Sequence, residues 1–132
     1  MQQHNITGNF DVQLTPQPAT VGIESAKLGR QTLNKTFHGD LNATSLGEML
    51  AAMTDVKGSA GYVAIERITG TLLGKQGSFV LMHTGTMNRG AAQLVVQVVS
   101  DSGTDGLTGL TGQMGIQATS GQHVYTFDFT LP

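Results

Sequence analysis

Apolar and polar residues alternate with a period of two along most of the chain. The alternation is clear over 5–14, where Ile6 and Phe10 are separated by polar residues and Gly8, and again over 32–41. A strand with one buried and one exposed face has this pattern. Similar stretches follow at 62–68, 76–87, 91–100, 107–118 and 123–131. The pattern predicts seven or eight β-strands. The number is open because 21–28 reads either as a separate strand or as the start of a bulged one.

The connections between these strands are short and turn-like. Asn88-Arg89-Gly90 and Ser120-Gly121 are two examples, and such sequences are typical of β-hairpins. Short connections make successive strands antiparallel neighbours, and closing the sheet removes its exposed edges. We therefore expect an all-β fold in which residues 1–132 form a single domain, a small closed antiparallel β-barrel. A β-sandwich is the structural alternative.

One segment departs from the alternation. Residues 45–48 match the Ser-x-x-Glu capping box that starts many helices. The apolar residues that follow recur at i, i+3, i+4 and i+7: Leu46, Met49, Leu50 and Met53. This spacing predicts a short helix over 46–53 that plugs one end of the barrel. Because Gly47 weakens a helix, a loop with a few buried apolar residues is the alternative.

The strand predicted over 91–100 is apolar on both of its faces between Leu94 and Val99. A strand in a monomeric barrel needs only one apolar face. We therefore expect the outward Val95 and Val99 to lie under the helix or against another subunit. This indicates a homo-oligomer.

Composition excludes several kinds of partner. The formal net charge is −2 and the sequence has no run of Lys or Arg, so we expect no nucleic-acid binding, which depends on clustered cations. The chain has no cysteine, which rules out a thiol nucleophile and a cysteine-based metal site. No apolar stretch approaches the roughly 20 residues of a membrane helix, and residues 1–5 do not resemble a signal peptide. We expect a cytoplasmic protein with no membrane partner.

Strand parity sorts the polar residues into an inward and an outward set. His38 shares its face with polar neighbours and is expected to point to solvent. Other polar side chains share a face with core residues, and these are the candidates for ligand binding: Lys35, Tyr62, Glu66, His83, His123 and Tyr125.

Burying a charged side chain is costly unless it is paired or solvated. A Glu66–Lys35 ion pair, or side chains that reach water at the barrel rim, would be purely structural. The same groups could instead line a ligand pocket or act in acid–base catalysis with shifted pKa values. Glu66, His83 and His123 could in principle hold a metal, but their spacing is not specific. We expect no metal and no cofactor.

Several segments taken together resemble a known family. They are 61–66 (GYVAIE), 70–72 (GTL), 77–81 (GSFVL) with 83–87 (HTGTM), and 102–104 (SGT) with Leu107 and Gly109. The chain resembles, over roughly 10–131, a bacterial family catalogued as a domain of unknown function, number 3224. The resemblance implies an antiparallel barrel like that of the plant allene oxide cyclases, with no established activity. Glu66, His83 and the turn at 102–104 lie within the matching segments.

Three functions are compatible with these observations. The first is a barrel that binds a small, mostly apolar molecule anchored by Glu66 and His83. The second is an isomerase or cyclase in which Glu66 and His83 move protons across a pocket. The third is a structural, oligomer-forming module without a pocket, which would use Val95 and Val99. The sequence leaves open whether the protein is an enzyme.

Overall fold

Eight antiparallel strands close into one barrel in the computed structural model, which describes residues 2–132. Each strand pairs with its neighbours in sequence, and β8 pairs with β1 to close the ring. The strands are β1 (Gln2–Gln17), β2 (Gly29–His38), β3 (Leu41–Met53), β4 (Ala60–Leu72), β5 (Lys75–Asn88), β6 (Ala91–Val98), β7 (Thr111–Thr119) and β8 (Gln122–Leu131). The predicted closed antiparallel barrel is confirmed.

Two connections contain short 3₁₀ turns. Residues 21–28, which left the number of strands open, form a connection with a turn at Glu24–Ala26. A second turn at Asp105–Leu107 precedes β7, so that strand begins at Thr111 and not at Leu107. None of the helical segments within residues 2–132 is long and apolar enough to span a membrane.

The predicted helix over 46–53 is wrong, because this segment is the second half of strand β3. Leu46 pairs with Asn34 of β2 on one side and with Arg67 of β4 on the other. A strand between two others receives its backbone hydrogen bonds from both neighbours, and this pairing outweighs the local helical spacing. Met49 points into the barrel, while Leu46 lies on the outer face and is 70% exposed.

One end of the barrel is sealed. The connection between β6 and β7 folds across it and inserts Leu107 and Leu110, both 1% exposed. The predicted turn at 102–104 fastens this connection to β5: Ser102 Oγ accepts a hydrogen bond from the Val80 N–H at 3.0 Å, and Thr104 Oγ1 accepts one from Ser78 at 3.0 Å. The turn is therefore part of the seal.

The middle of the barrel is filled by aromatic rings. Phe79 and Phe127 stack with centroids 5.8 Å apart, and Phe37 meets Tyr125 edge-on at 5.7 Å. These four rings are fully buried. Burying the four rings contributes roughly 6–12 kcal/mol of hydrophobic stabilisation, at about 1.5–3 kcal/mol per ring. The charged inward residues lie between these rings and the opposite end of the barrel, which is open.

The two outward valines differ in their surroundings. Within residues 2–132, no helix covers either of them. Val99 follows the end of β6, is half-buried, and donates its N–H to the Val80 carbonyl at 2.9 Å. Val95 is 44% exposed on the outer face of β6.

Candidate functional site

Four polar side chains from four adjacent strands meet inside the barrel. They are Lys35 of β2, Ser45 of β3, Glu66 of β4 and His83 of β5, and each lies on the inward face of its strand. All four are buried, and Glu66 has no exposed surface. We call them the charged cluster. Period-two alternation places them inside, and the strand order brings them together.

Glu66 is the centre of the charged cluster. Its Oε2 atom accepts a hydrogen bond from Lys35 Nζ at 2.8 Å and lies 2.5 Å from His83 Nε2. Its Oε1 atom accepts a hydrogen bond from Ser45 Oγ at 2.7 Å. Both carboxylate oxygens are therefore satisfied, as a buried carboxylate requires. Gly47, opposite Glu66 in β3, lacks a side chain where a Cβ would lie 2.7 Å from Glu66 Cα.

These contacts keep Glu66 ionised. Burial by itself would raise the pKa of its carboxyl group. The hydrogen bond from His83, the positive charge of Lys35, and the hydrogen bonds from Lys35 and Ser45 act in the opposite direction. They lower the pKa of Glu66 from 4.5 to about 2. At neutral pH the cluster thus contains a buried negative charge shared between a lysine and a histidine.

Lys35 has hydrogen-bonding capacity that Glu66 does not use. An ammonium group carries three N–H donors, and the charged cluster engages one of them. The rest of the group faces aromatic rings, with Nζ 4.9 Å from the centroid of Phe10 and 5.8 Å from that of Phe37. Such cation–π contacts compensate part of the cost of burial. Among residues 2–132, two of the three N–H groups have no hydrogen-bond acceptor.

Tyr62 separates the charged cluster from the open end. Its ring centroid is 6.4 Å from that of His83. The ring lies directly over Gly85, its cross-strand partner in β5, where an added Cβ would lie 2.2 Å from Tyr62 Cε1. Burial, followed by the negative charge of Glu66, raises the pKa of the Tyr62 hydroxyl. At neutral pH the hydroxyl of Tyr62 is therefore uncharged, and its half-buried ring lies between the charged cluster and the open end.

Above Tyr62 the barrel opens into an apolar cavity of about 340 Å³. We call it the mouth pocket. Its walls come from the end of β3, the start of β4, the end of β5 and the start of β6, and they include Met49, Met53, Met87 and Leu94. Met53 is 80% exposed. The pocket falls within the usual size range of small-molecule sites, about 300–1,000 Å³.

The remaining candidates from the sequence lie apart from this arrangement. His123 packs against Phe10 with ring centroids 5.2 Å apart and lines a separate cleft with His38. Tyr125 is fully buried and donates its hydroxyl to the His38 carbonyl at 2.9 Å. The His38 side chain is exposed, as predicted, and lies 2.9 Å from Asp11.

Parity in the sequence identified Lys35, Glu66 and His83, and the structure brings them together. It did not identify Ser45, which the capping-box motif had assigned to a helix start. Tyr62 packs against His83 of the charged cluster, whereas His123 packs against Phe10 and Tyr125 donates to the His38 carbonyl. Among residues 2–132, no three His, Asp or Glu side chains are grouped as metal ligands would be.

Fold and site together define a closed antiparallel barrel with one sealed end and a charged cluster beneath an apolar mouth. A model of the family described as "Protein of unknown function (DUF3224)" matches residues 6–129, and the chain belongs to that family. A crystal structure of a protein of unknown function from the same family, from Shewanella oneidensis MR-1, is 51% identical in sequence. The match covers 99% of each chain with a TM-score of 0.90. The comparison with curated proteins finds no match.

The resemblance to the DUF3224 family is thus confirmed. The finer likeness to the plant allene oxide cyclases is not confirmed by these comparisons. Since one fold serves many functions, the function has to be inferred from the charged cluster and the mouth pocket.

Proposed function

We propose that this barrel binds a small, mostly apolar molecule in the mouth pocket. The observation that supports the proposal is an apolar cavity of about 340 Å³, open to solvent, directly above a buried cluster that contains Lys35, Glu66 and His83. Methionines in the pocket wall also support it, since flexible thioethers suit binding surfaces that accept varied apolar shapes.

The charged cluster lies below the pocket and not in its walls. Glu66 has no exposed surface, so a bound molecule contacts Tyr62 before it contacts any charged group. A molecule with one polar group at its leading end could turn the Tyr62 ring aside and meet His83 and the unused donors of Lys35. The ligand we propose therefore has an apolar body and at most one polar end.

The test compares two neighbouring alanines at the end of β3. Ala51 points into the mouth pocket, while Ala52 is exposed on the outer face. The apolar fluorescent probe N-phenyl-1-naphthylamine is titrated into the wild type, Ala51→Trp and Ala52→Trp. The tryptophan of Ala51→Trp fills the pocket, so we expect its probe affinity to fall about tenfold or more, a loss of about 1.4 kcal/mol. Ala52→Trp should bind within about twofold of the wild type.

Two outcomes would contradict the proposal: a wild-type protein that does not bind the probe, and an equal loss of affinity in Ala51→Trp and Ala52→Trp. The second outcome would place the probe on the outer face. Native mass spectrometry of the protein purified from its own cells then identifies what the pocket carries.

A proton-transfer enzyme is the second candidate, favoured by the 2.5 Å contact between His83 Nε2 and Glu66 Oε2. General acid–base catalysis needs such a pair within reach of substrate, and here Tyr62 would have to move first. Incubating the recovered ligand with the protein in D₂O tests this idea. Enzyme-dependent deuterium uptake at carbon should occur with the wild type and His123→Asn, and should be lost in His83→Asn. Uptake that is equal in all three proteins, or absent from all, removes this candidate.

A further inference from the structure

The barrel is closed at one seam by far fewer contacts than elsewhere. Strands β4 and β5 pair along 13 residues of each strand. Strands β6 and β7 pair only at Val96–Met114 and Gln97–Gln113 among the described residues. Towards the open end, residues 91–95 of β6 and 115–119 of β7 separate. Each of these segments presents an edge without a ladder partner in the part of the chain described by the structure.

The free edge of β6 lacks the features that normally protect a strand edge. Natural edge strands carry lysine, proline or a bulge that prevents pairing with another chain. Residues 91–95 (AAQLV) contain no charge and no proline, and all five are exposed. Unpaired main-chain N–H and C=O groups are complementary to a second strand. The occupant that fits this edge is therefore an extended strand.

A row of residues on the outer face of the barrel, apolar except for Thr84, leads to the same edge. It crosses four strands through directly paired residues: Leu50, Val63, Thr84 and Val95. All four are exposed. A strand added beside β6 would extend this row, so a partner with an equally uncharged strand and outer face fits it best.

We infer that the occupant is a second copy of this chain, with the two β6 strands paired antiparallel about a two-fold axis near Gln93. An isologous contact requires a surface that is complementary to itself. The uncharged sequence of 91–95 meets this requirement, since no like charges face each other across the axis. The two rows then form one continuous outer surface. The edge of β6, and not the broad face of β4, carries the contact.

Sedimentation equilibrium tests the inference with a matched pair of variants. Val95→Lys places a charge at the β6 edge, and Ile65→Lys places the same charge on the outer face of β4, which is paired on both sides. Both wild-type residues are about half exposed, so neither change should unfold the barrel. We expect a wild-type dimer whose dissociation constant rises about tenfold or more in Val95→Lys. The constant should change about twofold or less in Ile65→Lys.

Because the chain has no cysteine, single cysteines report the register without competing thiols. Gln93→Cys should form a covalent dimer on mild oxidation. Gln97→Cys, on the same strand and face but in the part paired with Gln113 of β7, should not. The double variant Leu94→Cys/Ile116→Cys tests whether β6 instead closes onto β7 of its own chain.

A monomeric wild type overturns the inference, as does equal weakening by the two lysine variants. An efficient intramolecular disulfide in Leu94→Cys/Ile116→Cys overturns it as well, because the β6 edge would then be occupied by β7. Equal cross-linking of Gln93→Cys and Gln97→Cys would show contact without the proposed register and also speaks against it.

Discussion

Replacing Glu66 with glutamine tests directly what the charged cluster contributes to stability. The change keeps the shape of the side chain and removes its charge. Lys35, 5% exposed and 2.8 Å from Glu66, then remains buried without a counter-charge. Breaking a buried ion pair in this way costs about 3–5 kcal/mol. We expect the free energy of unfolding of Glu66→Gln at pH 7 to fall by that amount.

The pH dependence of the unfolding free energy tests the contribution of the Glu66 charge in a second way. Folding lowers the pKa of Glu66 from 4.5 to about 2, and each pKa unit corresponds to about 1.4 kcal/mol. The folded-state pKa is the lower one, so this stabilisation of about 3 kcal/mol is fully present above pH 4.5. It is lost as the pH falls from 4.5 towards 2. The difference in free energy of unfolding between the wild type and Glu66→Gln should therefore become smaller as the pH falls through that range.

The assay is urea unfolding followed by circular dichroism at a series of pH values. Glu48→Gln is the control, because Glu48 forms an exposed ion pair with Arg30 at 3.3 Å. Exposed pairs contribute about 0–1 kcal/mol. The double variant Lys35→Met/Glu66→Gln removes both buried charges and should recover most of the lost stability. A loss of stability below about 1 kcal/mol in Glu66→Gln, or a stability difference from the wild type that stays constant in acid, would contradict this prediction.

Two further substitutions probe the packing and hydrogen bonding of the two tyrosines. In Gly85→Ala the new Cβ would lie 2.2 Å from the Tyr62 ring. The ring must move, so we expect a loss of about 1–3 kcal/mol and a changed tyrosine fluorescence. Gly115→Ala in β7, where the nearest atom is 4.0 Å from the new Cβ, should leave that fluorescence unchanged. Tyr125→Phe removes the 2.9 Å hydrogen bond to the His38 carbonyl. We expect it to cost about 0.5–1.5 kcal/mol in urea unfolding, the usual net contribution of one hydrogen bond, and a neutral result would contradict this.

The inward residues could be predicted because a strand alternates strictly between its two faces. Lys35 shares a face with Phe37 and has polar neighbours on both sides in sequence, so parity places it inside. For Glu66 parity is weak, because both faces of that strand are largely apolar. The closed meander then brings neighbouring strands together, which explains why a linear pattern identified most of the charged cluster. The number of strands stayed open because 21–28 could be read as a strand, but this segment is a connection. The eighth strand is β3, whose second half the helical spacing had assigned to a helix.

The errors arose where a local pattern suited two structures equally well. The spacing of Leu46 and Met49 is helical, but in β3 the same residues occupy opposite faces, one outside and one inside the barrel. Ser45 matched a helix cap and instead donates to Glu66. Tertiary pairing on both edges of β3 decides between these structures, and pairing cannot be read from a single segment. The position of Tyr62 above His83 depends on the three-dimensional arrangement in the same way.

The sealed end restricts how any molecule could pass through this barrel. Because Leu107 and Leu110 fill that end, the barrel is open at one end only. A molecule that enters by the open end must therefore leave by the same end. The end of a molecule that goes in first is then the last to come out, and the trailing end stays near the solvent. For chemists who design affinity reagents, this means that a dye or a solid support can be attached only to the trailing end. A scaffold substituted at its leading end should fail to bind, however well the rest of it fits.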